Sequence, residues 1–325
     1  MRFRRTPRIL LLSLVVLPLV VVAAGCGRSG GNDNSGNGGG GGNKNLSGTI
    51  VADGSSTVGP LTTYAAEQFQ QQSPNVKVTV GISGTGGGFE RFCAGETDLS
   101  DASRQIEDDE AAVCKKADID YTEFQVANDG IAIVVNTEND WVDCLTLDQL
   151  KKIWEPKSKV KSWKQIDPSF PDEKLSLFGP GTDSGTFDFF TDKITGEEGA
   201  SRSDYQASEN DNVLVEGVAG EKGGLGYFGL SYAEQNQDKI KAVGVDGGSG
   251  CVTPSTETVQ SGEYQPLSRP LFVYVKSTSF KRPEVKAFMK YMIDNYQSLA
   301  EGAQFVPMTD DQAQASEDAF QQTGA

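Results

Sequence analysis

Small hydroxyl and glycine residues are concentrated in four short stretches, each at the end of a strand-like run. The stretches are DGSSTVGPL (53 to 61), GISGTGGGF (81 to 89), DLSDASR (98 to 104) and GPGTDSGTFDFF (179 to 190). In most of them a helical pattern follows, and the first turn of a helix has free backbone N–H groups and a partial positive charge. Serine and threonine hydroxyls add donors, and glycine lets the backbone approach a ligand. Gathered around one cleft, these stretches predict a site for a small tetrahedral oxyanion.

Ser184 lies in the last stretch, and its position invites the alternative that it is a nucleophile. Its context, G-T-D-S-G-T, is not the G-x-S-x-G turn that carries the serine of α/β-hydrolases. The chain has no histidine, so an activating base would have to be a lysine or a carboxylate. We therefore expect a binding protein without catalytic residues, with a serine hydrolase-like enzyme as the alternative.

The composition also argues against a metal ion or a nucleotide cofactor. Histidine, the commonest transition-metal ligand, is absent, and the cysteine spacing matches no zinc motif. The run GTGGGF is not a nucleotide-binding P-loop, because no Gly-Lys-Ser/Thr follows it. The sequence predicts no metal and no cofactor.

The elements that must position these stretches alternate between apolar strands and helical patterns, which predicts an α/β fold. IAIVVN (131 to 136) and LFVYVK (271 to 276) are similar buried strands that bracket a second set of elements. We expect two α/β lobes joined by a double crossover, with the ligand in the cleft between them. Lobe I would hold 46–134 and 270–325, and lobe II would hold 135–269, closing about the two bracketing strands. One continuous sheet without a cleft is the alternative.

Several helices can be placed more closely. Thr146 and Gln149 have the spacing of a capping box, and Pro156 ends the helix that they begin. The other predicted helices are at 60–72, 89–93, 107–116 and 285–300, the last of which closes the chain.

Residues 1–25 combine four arginines with an apolar run and predict an export signal. The small residues before Cys26 resemble the lipobox of bacterial lipoproteins, in which the leader is cut before a cysteine that carries the lipid. Residues 26–45 are rich in glycine and asparagine and predict a flexible tether. We expect an extracytoplasmic protein anchored to the cell membrane through Cys26, the alternative being an ordinary signal peptide.

Four further cysteines form an even number in an exported chain, which predicts two disulfides. Three pairings are possible. We favour Cys93 with Cys114 and Cys144 with Cys251, because each pair then falls within one predicted lobe. Four unpaired buried thiols or a metal site are the alternative.

The formal net charge is −16, and removal of the leader with its four arginines would make it −20. Such an acidic chain is not expected to bind nucleic acid. It can still bind a small anion, because overall charge governs long-range approach whereas local donors govern the bound state, and salt screens charges beyond about 8 Å.

The motifs resemble those of the phosphate-binding subunits of bacterial ABC importers. The resemblance rests on DGSSTVGPL, ISGTGGGFERFCAGETDLSDASRQI, GPGTDSGTFDFF, SENDNVLVEGVAG and GGLGYFG, and it extends from about Thr49 to Met308 in the family's order. It implies a two-lobed fold of the type II periplasmic-binding-protein kind that closes on phosphate and presents it to a membrane permease.

The resemblance also implies which residues bind the anion. The first loop would contribute the Ser56 hydroxyl and the Thr57 backbone N–H, and the second loop would contribute Thr85, with Ser83 as a weaker candidate. The family's Ser-Gly-Thr at a helix start falls on Ser184, Gly185 and Thr186.

Two positions depart from the best-known members of the family. Those members have an aspartate in the third loop that accepts the proton of phosphate, and Ser103 stands there in this chain. Asp101, two residues earlier, would share its face on a strand and could substitute only if the backbone shifts. Asp183 is a second candidate acceptor, or alternatively the N-cap of its helix. Those members also have an arginine where this chain has Pro180, which leaves Arg104 as the candidate cation, although an ion pair within lobe I is an equal alternative for it.

The resemblance implies inorganic phosphate and the permease subunits of an ABC transporter as partners, with the protein acting as a monomer. Another tetrahedral oxyanion, such as sulfate, molybdate or tungstate, is the alternative ligand. A surface adhesin or sensor that has lost ligand binding is a further alternative.

Overall fold

The computed structural model describes residues 46–323, so the predicted leader, Cys26 and the tether lie outside the described residues. The strands are β1 (Ser47–Gly54), β2 (Asn75–Ile82), β3 (Leu99–Ala102), β4 (Tyr121–Asn136), β5 (Cys144–Thr146), β6 (Ser176–Gly179), β7 (Gln206–Ala207), β8 (Gly224–Gly229), β9 (Ile240–Asp246), β10 (Cys251–Val252) and β11 (Ser268–Lys276). The helices are α1 (Val58–Gln72), α2 (Gly84–Cys93), α3 (Asp108–Lys116), α4 (Leu147–Trp154), α5 (Trp163–Ile166), α6 (Gly185–Thr195), α7 (Asp211–Gly220), α8 (Leu230–Gln235), α9 (Thr256–Gln260), α10 (Pro283–Asp294), α11 (Tyr296–Gly302) and α12 (Asp310–Gln322). None of the helices in 46–323 has the length and apolar character needed to cross a membrane.

The strands form one sheet in the order β2-β1-β3-β11-β4-β8-β6-β7, with β9 also paired to β4 and extended by β5 and β10. The pairs β1 with β2 and β1 with β3 are parallel, as is β6 with β8, and these join through helices. The pairs that involve β4 and β11 are antiparallel. The α/β fold predicted from the alternating pattern is confirmed.

The long strand β4 belongs to both halves of the sheet. Its first part, from Tyr121 to Gly130, pairs along β11, and its second part, from Ile131 to Asn136, pairs with β8 and β9. The two halves therefore meet where β4 passes from one set of partners to the other, beside the start of β11. Arg269 on β11 is paired in register with Asp129 on β4 at this junction.

Two main hydrophobic cores lie on either side of the junction. The first contains Ile50, Phe69, Phe124 and Phe288 and is built from residues before 128 and after 270. The second contains Trp154 and residues from 131 to 267, together with Val306. The apolar positions that repeat every third or fourth residue in each helix are the ones that face these cores, as the 3.6-residue period requires.

Local sequence signals predicted several elements correctly. The runs 131–136 and 271–276 are buried strands, as expected, and the Thr146 hydroxyl accepts a hydrogen bond from the Gln149 backbone N–H in a complete capping box. The disulfide prediction is also confirmed, because Cys93 is bonded to Cys114 and Cys144 to Cys251.

Two details of the prediction were wrong. The helix expected at 89–93 begins five residues earlier, at Gly84, because the glycine-rich run is itself the first turn. The helix expected at 285–300 is broken at Asn295 into α10 and α11, and α12 follows it, so it does not close the chain. The closing of the lobes about 131–136 and 271–276 stays a prediction; in the sheet, the passage between the two cores comes just before each of these segments.

Candidate anion-binding site

A cleft of about 970 Å³ lies beside the junction of the two halves, and all four predicted stretches contribute to its wall. Its lining includes Ser55–Thr57 before α1, Ser83–Gly87 at the start of α2, Ser103 and Arg104 after β3, Gly185 at the start of α6, and residues 265–270 at the start of β11. The structure therefore brings together the loops that the sequence singled out.

The first loop is fixed by Ser55, whose hydroxyl accepts hydrogen bonds from the backbone N–H groups of Thr57 and Val58 at 3.1 and 3.3 Å. The Thr57 N–H that the sequence assigned to the ligand is thus engaged inside the loop. The Ser56 hydroxyl donates to an Asp188 carboxylate oxygen at 3.3 Å, and the Thr57 hydroxyl accepts from Arg269 at 2.7 Å. Both hydroxyls face the cleft.

The second loop depends on glycine for its packing. A Cβ at Gly88 would lie 2.5 Å from the Gly54 Cα, so only glycine lets α2 approach the end of β1 this closely. The Thr85 hydroxyl lies 3.0 Å from the Ser103 hydroxyl and accepts the Ser103 backbone N–H at 3.2 Å. The predicted donors of the second and third loops are therefore adjacent and already linked.

Asp101 is not brought to the cleft. Its side chain is fully buried, with one carboxylate oxygen accepting the Thr62 hydroxyl at 2.9 Å and the other without a hydrogen-bond partner. Burial raises its pKa to about 7 against the lowering by the Thr62 hydrogen bond, and Asp53 adds to the rise. The expectation that Asp101 shares a face with Ser103 was wrong, because β3 ends at Ala102 and strand alternation does not continue to Ser103.

Arg104 lines the cleft, but its charge is already paired. Both terminal nitrogens of its guanidinium donate to Glu110 at 2.8 Å, and Nε lies 3.3 Å from Glu107. The Glu110 hydrogen bonds raise the pKa of Arg104 above its ordinary value, which is the signature of an ion pair within the first half.

The fourth loop touches the first. A Cβ at Gly185 would lie 2.5 Å from the Thr57 hydroxyl and 3.0 Å from the Ser56 hydroxyl, so the two loops are in direct contact. Ser184 caps α6 by accepting the Thr186 N–H at 3.2 Å. Of the three residues predicted from the Ser-Gly-Thr motif, Gly185 lines the cleft. Ser184 and Thr186 are not in the cleft lining of the described residues. Asp183 is exposed and lines a separate shallow groove beside α1.

The sequence analysis missed Arg269, which is the least exposed cation of the cleft. Its side chain is 14% exposed, its Nε lies 3.2 Å from Asp129, and its guanidinium carbon lies 3.7 Å from the centre of the Phe189 ring. Burial lowers the pKa of Arg269, whereas the ion pair with Asp129 raises it. A guanidinium nevertheless stays charged near neutral pH. A signal was present, because Asp129 and Arg269 each lie two residues before one of the two bracketing strand runs.

Asp188 was also missed. It stands in the first turn of α6, half-buried, with its carboxylate at the Ser56 hydroxyl. Burial raises its pKa, and Glu198 raises it further, while the hydrogen bond from Ser56 and the charge of Arg269 lower it. The cleft therefore contains one buried cation and one partly buried carboxylate among hydroxyls and helix starts.

Comparison with known proteins places this arrangement in a family. A model of the PBP superfamily domain matches residues 40–295. The chain is 44% identical to the protein SphX of Synechocystis over 268 residues, covering 82% of this chain and 80% of SphX. It is 42% identical to the phosphate-binding protein PstS of Staphylococcus haemolyticus over 267 residues, covering 81% and 82%.

A crystal structure of a possible phosphate binding protein from Planctomyces limnophilus is also similar. The two chains are 45% identical and superpose with a TM-score of 0.82, covering 86% of this chain and 99% of the other. The chain therefore belongs to the PBP superfamily, in the family of the PstS and SphX proteins.

Proposed function

We propose that this protein binds inorganic phosphate outside the cytoplasm and delivers it to the permease of an ABC transporter. Its relatives include proteins named phosphate-binding proteins, at about 40% identity over most of both chains. These relatives are binding proteins rather than enzymes, and the chain has no histidine to activate Ser184. The proposal therefore rests both on the family relationship and on a cleft lined by an arginine, hydroxyl groups and helix starts.

The observation that carries the proposal is the environment of Arg269. A buried guanidinium presents fixed donors in a planar fork that matches an oxyanion, and it does so best where water is excluded. The hydroxyls of Ser56, Thr57, Thr85 and Ser103 open onto the same cleft. Arg269 brings a guanidinium shared with Asp129, and the Thr57 hydroxyl, which accepts from Arg269, can donate its own hydrogen. Thr85 and Ser103 share one hydrogen bond, which leaves one hydroxyl hydrogen of that pair for a ligand, whereas the Ser56 hydrogen is donated to Asp188.

The fixed local donors of the cleft also answer the apparent conflict with the net charge of −16. Charges farther from the ligand than about 8 Å are largely screened at physiological salt. The nearby donors therefore determine the affinity, and the acidic surface affects mainly the rate of encounter.

Closure of two lobes is the working motion of this proposal. The lobes would be 46–134 with 270–325 and 135–269, turning about the passage of β4 and β11 between the two cores. The contact between Gly185 and the first loop supports a closed arrangement, because it joins the two halves across the cleft. Anchoring through a lipid on Cys26, with the exported leader removed, would hold the protein near its permease, and it would act as a monomer.

Titration calorimetry with phosphate, sulfate, molybdate and arsenate tests the ligand. We expect phosphate to bind and Arg269→Gln to weaken it roughly 10- to 100-fold, the effect of losing a charge-assisted hydrogen-bonding partner. Lys193→Gln is the matched control, because it removes a half-exposed cation from the same cleft. Tight binding of sulfate or molybdate in place of phosphate would assign the protein to another oxyanion, and no binding of any anion would refute the proposal.

A further inference from the structure

Asp188 is a carboxylate in the cleft wall that contacts the first loop. Its Oδ2 accepts the Ser56 hydroxyl at 3.3 Å, and the residue stands beside Gly185 and Phe189 in the cleft wall. An acidic residue in the first turn of a helix can simply stabilise that helix through its dipole. The position of Asp188, at the contact between the first and fourth loops, offers it a second role.

The carboxylate of Asp188 is not neutralised by an ion pair. Within 46–323, no lysine or arginine nitrogen lies within 4 Å of it, whereas the nearby Arg269 is paired with Asp129. Glu198 repels the charge of Asp188, Arg269 attracts it from a distance, and only a serine hydroxyl donates to it. A carboxylate in this state can accept another hydrogen bond.

The other acids near the cleft are less suited to contact a ligand. Asp192 pairs with Lys193 at 2.8 Å and Glu107 with Arg104 at 3.3 Å. Asp101 is sealed beneath the first loop, and Asp183 faces a different groove. Asp129 is engaged by Arg269 at 3.2 Å, and Glu198, which also lines the cleft, is exposed. Asp188 is therefore the partly buried cleft carboxylate that contacts the first loop, through Ser56.

A carboxylate in an anion site discriminates by protonation. Phosphate and arsenate keep at least one proton near neutral pH and can donate it to a carboxylate, whereas sulfate and molybdate have no proton to give. The same carboxylate repels the ionised oxygens of sulfate and molybdate, so it acts against the wrong ligand as well as for the right one.

We propose that Asp188 selects protonated tetrahedral oxyanions by accepting their O–H, while Arg269 and the loop hydroxyls hold their ionised oxygens. The inference rests on the proposed function and adds to it the residue that distinguishes phosphate from sulfate. The third loop has Ser103 in place of a carboxylate, so it cannot supply this acceptor. The inference therefore assigns the acceptor to the first turn of α6.

Calorimetry at neutral pH with phosphate, arsenate, sulfate and molybdate tests the assignment in wild type, Asp188→Asn and Asp192→Asn. We expect the ratio of phosphate to sulfate affinity to fall at least about tenfold in Asp188→Asn, because the amide no longer repels sulfate. Arsenate should follow phosphate, and molybdate should follow sulfate. Asp192→Asn removes a charge one turn along the same helix and should leave the ratio within about twofold of wild type.

The outcomes separate the two proposals. A wild-type protein that binds phosphate, with an unchanged ratio in Asp188→Asn, would overturn the role of Asp188 and leave the proposed function standing. An equal fall of the ratio in both variants would also overturn it, because the effect would then be general electrostatics. A wild-type protein that binds no phosphate would defeat both. If a thermal melt shows that Asp188→Asn does not fold, Asp188→Ser removes the carboxylate and is judged by the same criterion.

Discussion

The guanidinium of Arg269 stacks on the ring of Phe189, with its central carbon 3.7 Å from the ring centre. Arg269 is on β11 and Phe189 is on α6, so the contact joins the junction strand to the helix that begins at the fourth loop. The same guanidinium donates to Thr57 in the first loop. One buried cation thus touches both walls of the cleft, and its loss should affect both binding and closure.

We expect Arg269→Lys to weaken phosphate binding about tenfold although the charge is retained. A lysine ammonium cannot stack flat on Phe189 and donate to both Asp129 and Thr57 in the fixed geometry of a guanidinium. Calorimetry gives the affinity, and small-angle scattering with and without phosphate gives the degree of contraction.

Arg282→Lys is the matched control for that substitution. Arg282 pairs with Asp98 at 2.7 Å and with Glu284 at 2.8 Å, and it does not line the cleft. Its replacement should leave the affinity unchanged. Wild-type affinity in Arg269→Lys would mean that charge alone, and not the arginine geometry, matters at this position.

Gly185→Ala should weaken binding by preventing full closure. The added methyl group would lie 2.5 Å from the Thr57 hydroxyl and 2.8 Å from the Thr57 nitrogen, distances that require the loops to separate. We expect a loss of affinity of about tenfold or more, and a scattering profile with phosphate that stays close to the ligand-free one.

Gly220→Ala provides the comparison, because a Cβ there has no atom within 4 Å and the residue also lies in a helix. It should bind as the wild type does. Equal binding by both variants would show that the contact of Gly185 with the first loop is not required for the bound state.

The fold was predictable where the signal is local. The buried strands at 131–136 and 271–276 and the capping box at Thr146 depend on residues within a few positions of each other. The disulfide pairs followed from assigning each cysteine to one of two predicted lobes. The loops of the cleft were predictable for the same reason, since each combines a strand end with a helix start.

The charged residues of the cleft were harder to predict, because their partners are distant in sequence. Arg269 and Asp129 are 140 positions apart, and Ser56 and Asp188 are 132 apart. Only the register of β4 with β11 and the contact between the two halves bring them together. The cation adjacent to the third loop in sequence is Arg104, and its charge is paired with Glu110.

Removing the Cys144–Cys251 disulfide should destabilise the protein more than removing Cys93–Cys114. The two bonds span 107 and 21 residues. Chain-entropy arguments give losses of roughly 5 and roughly 3 kcal/mol in the free energy of unfolding, because the longer loop restricts the unfolded chain more. Denaturant unfolding of the two double Cys→Ser variants measures the difference, and an equal loss would contradict the entropic origin.

Asp101→Asn should flatten the dependence of stability on pH without changing the choice of anion. In the folded protein the Asp101 pKa is raised by burial from 3.8 to about 7, so the folded state holds this proton more tightly than the unfolded state does. The free energy of unfolding of the wild type therefore falls, through this group, as the pH rises from about 4 to about 7, and changes no further above that. Asparagine does not titrate, so the variant should lose this contribution.

Urea unfolding at pH 4.5, 6 and 8 measures how the free energy of unfolding depends on pH. Asp172→Asn, which replaces an exposed carboxylate, is the control that should keep the wild-type dependence. The phosphate-to-sulfate ratio should stay at the wild-type value in Asp101→Asn, because its side chain is sealed away from the cleft by the first loop and α1. A wild-type pH slope in the variant would contradict the raised pKa, and an altered anion ratio would return Asp101 to the binding site.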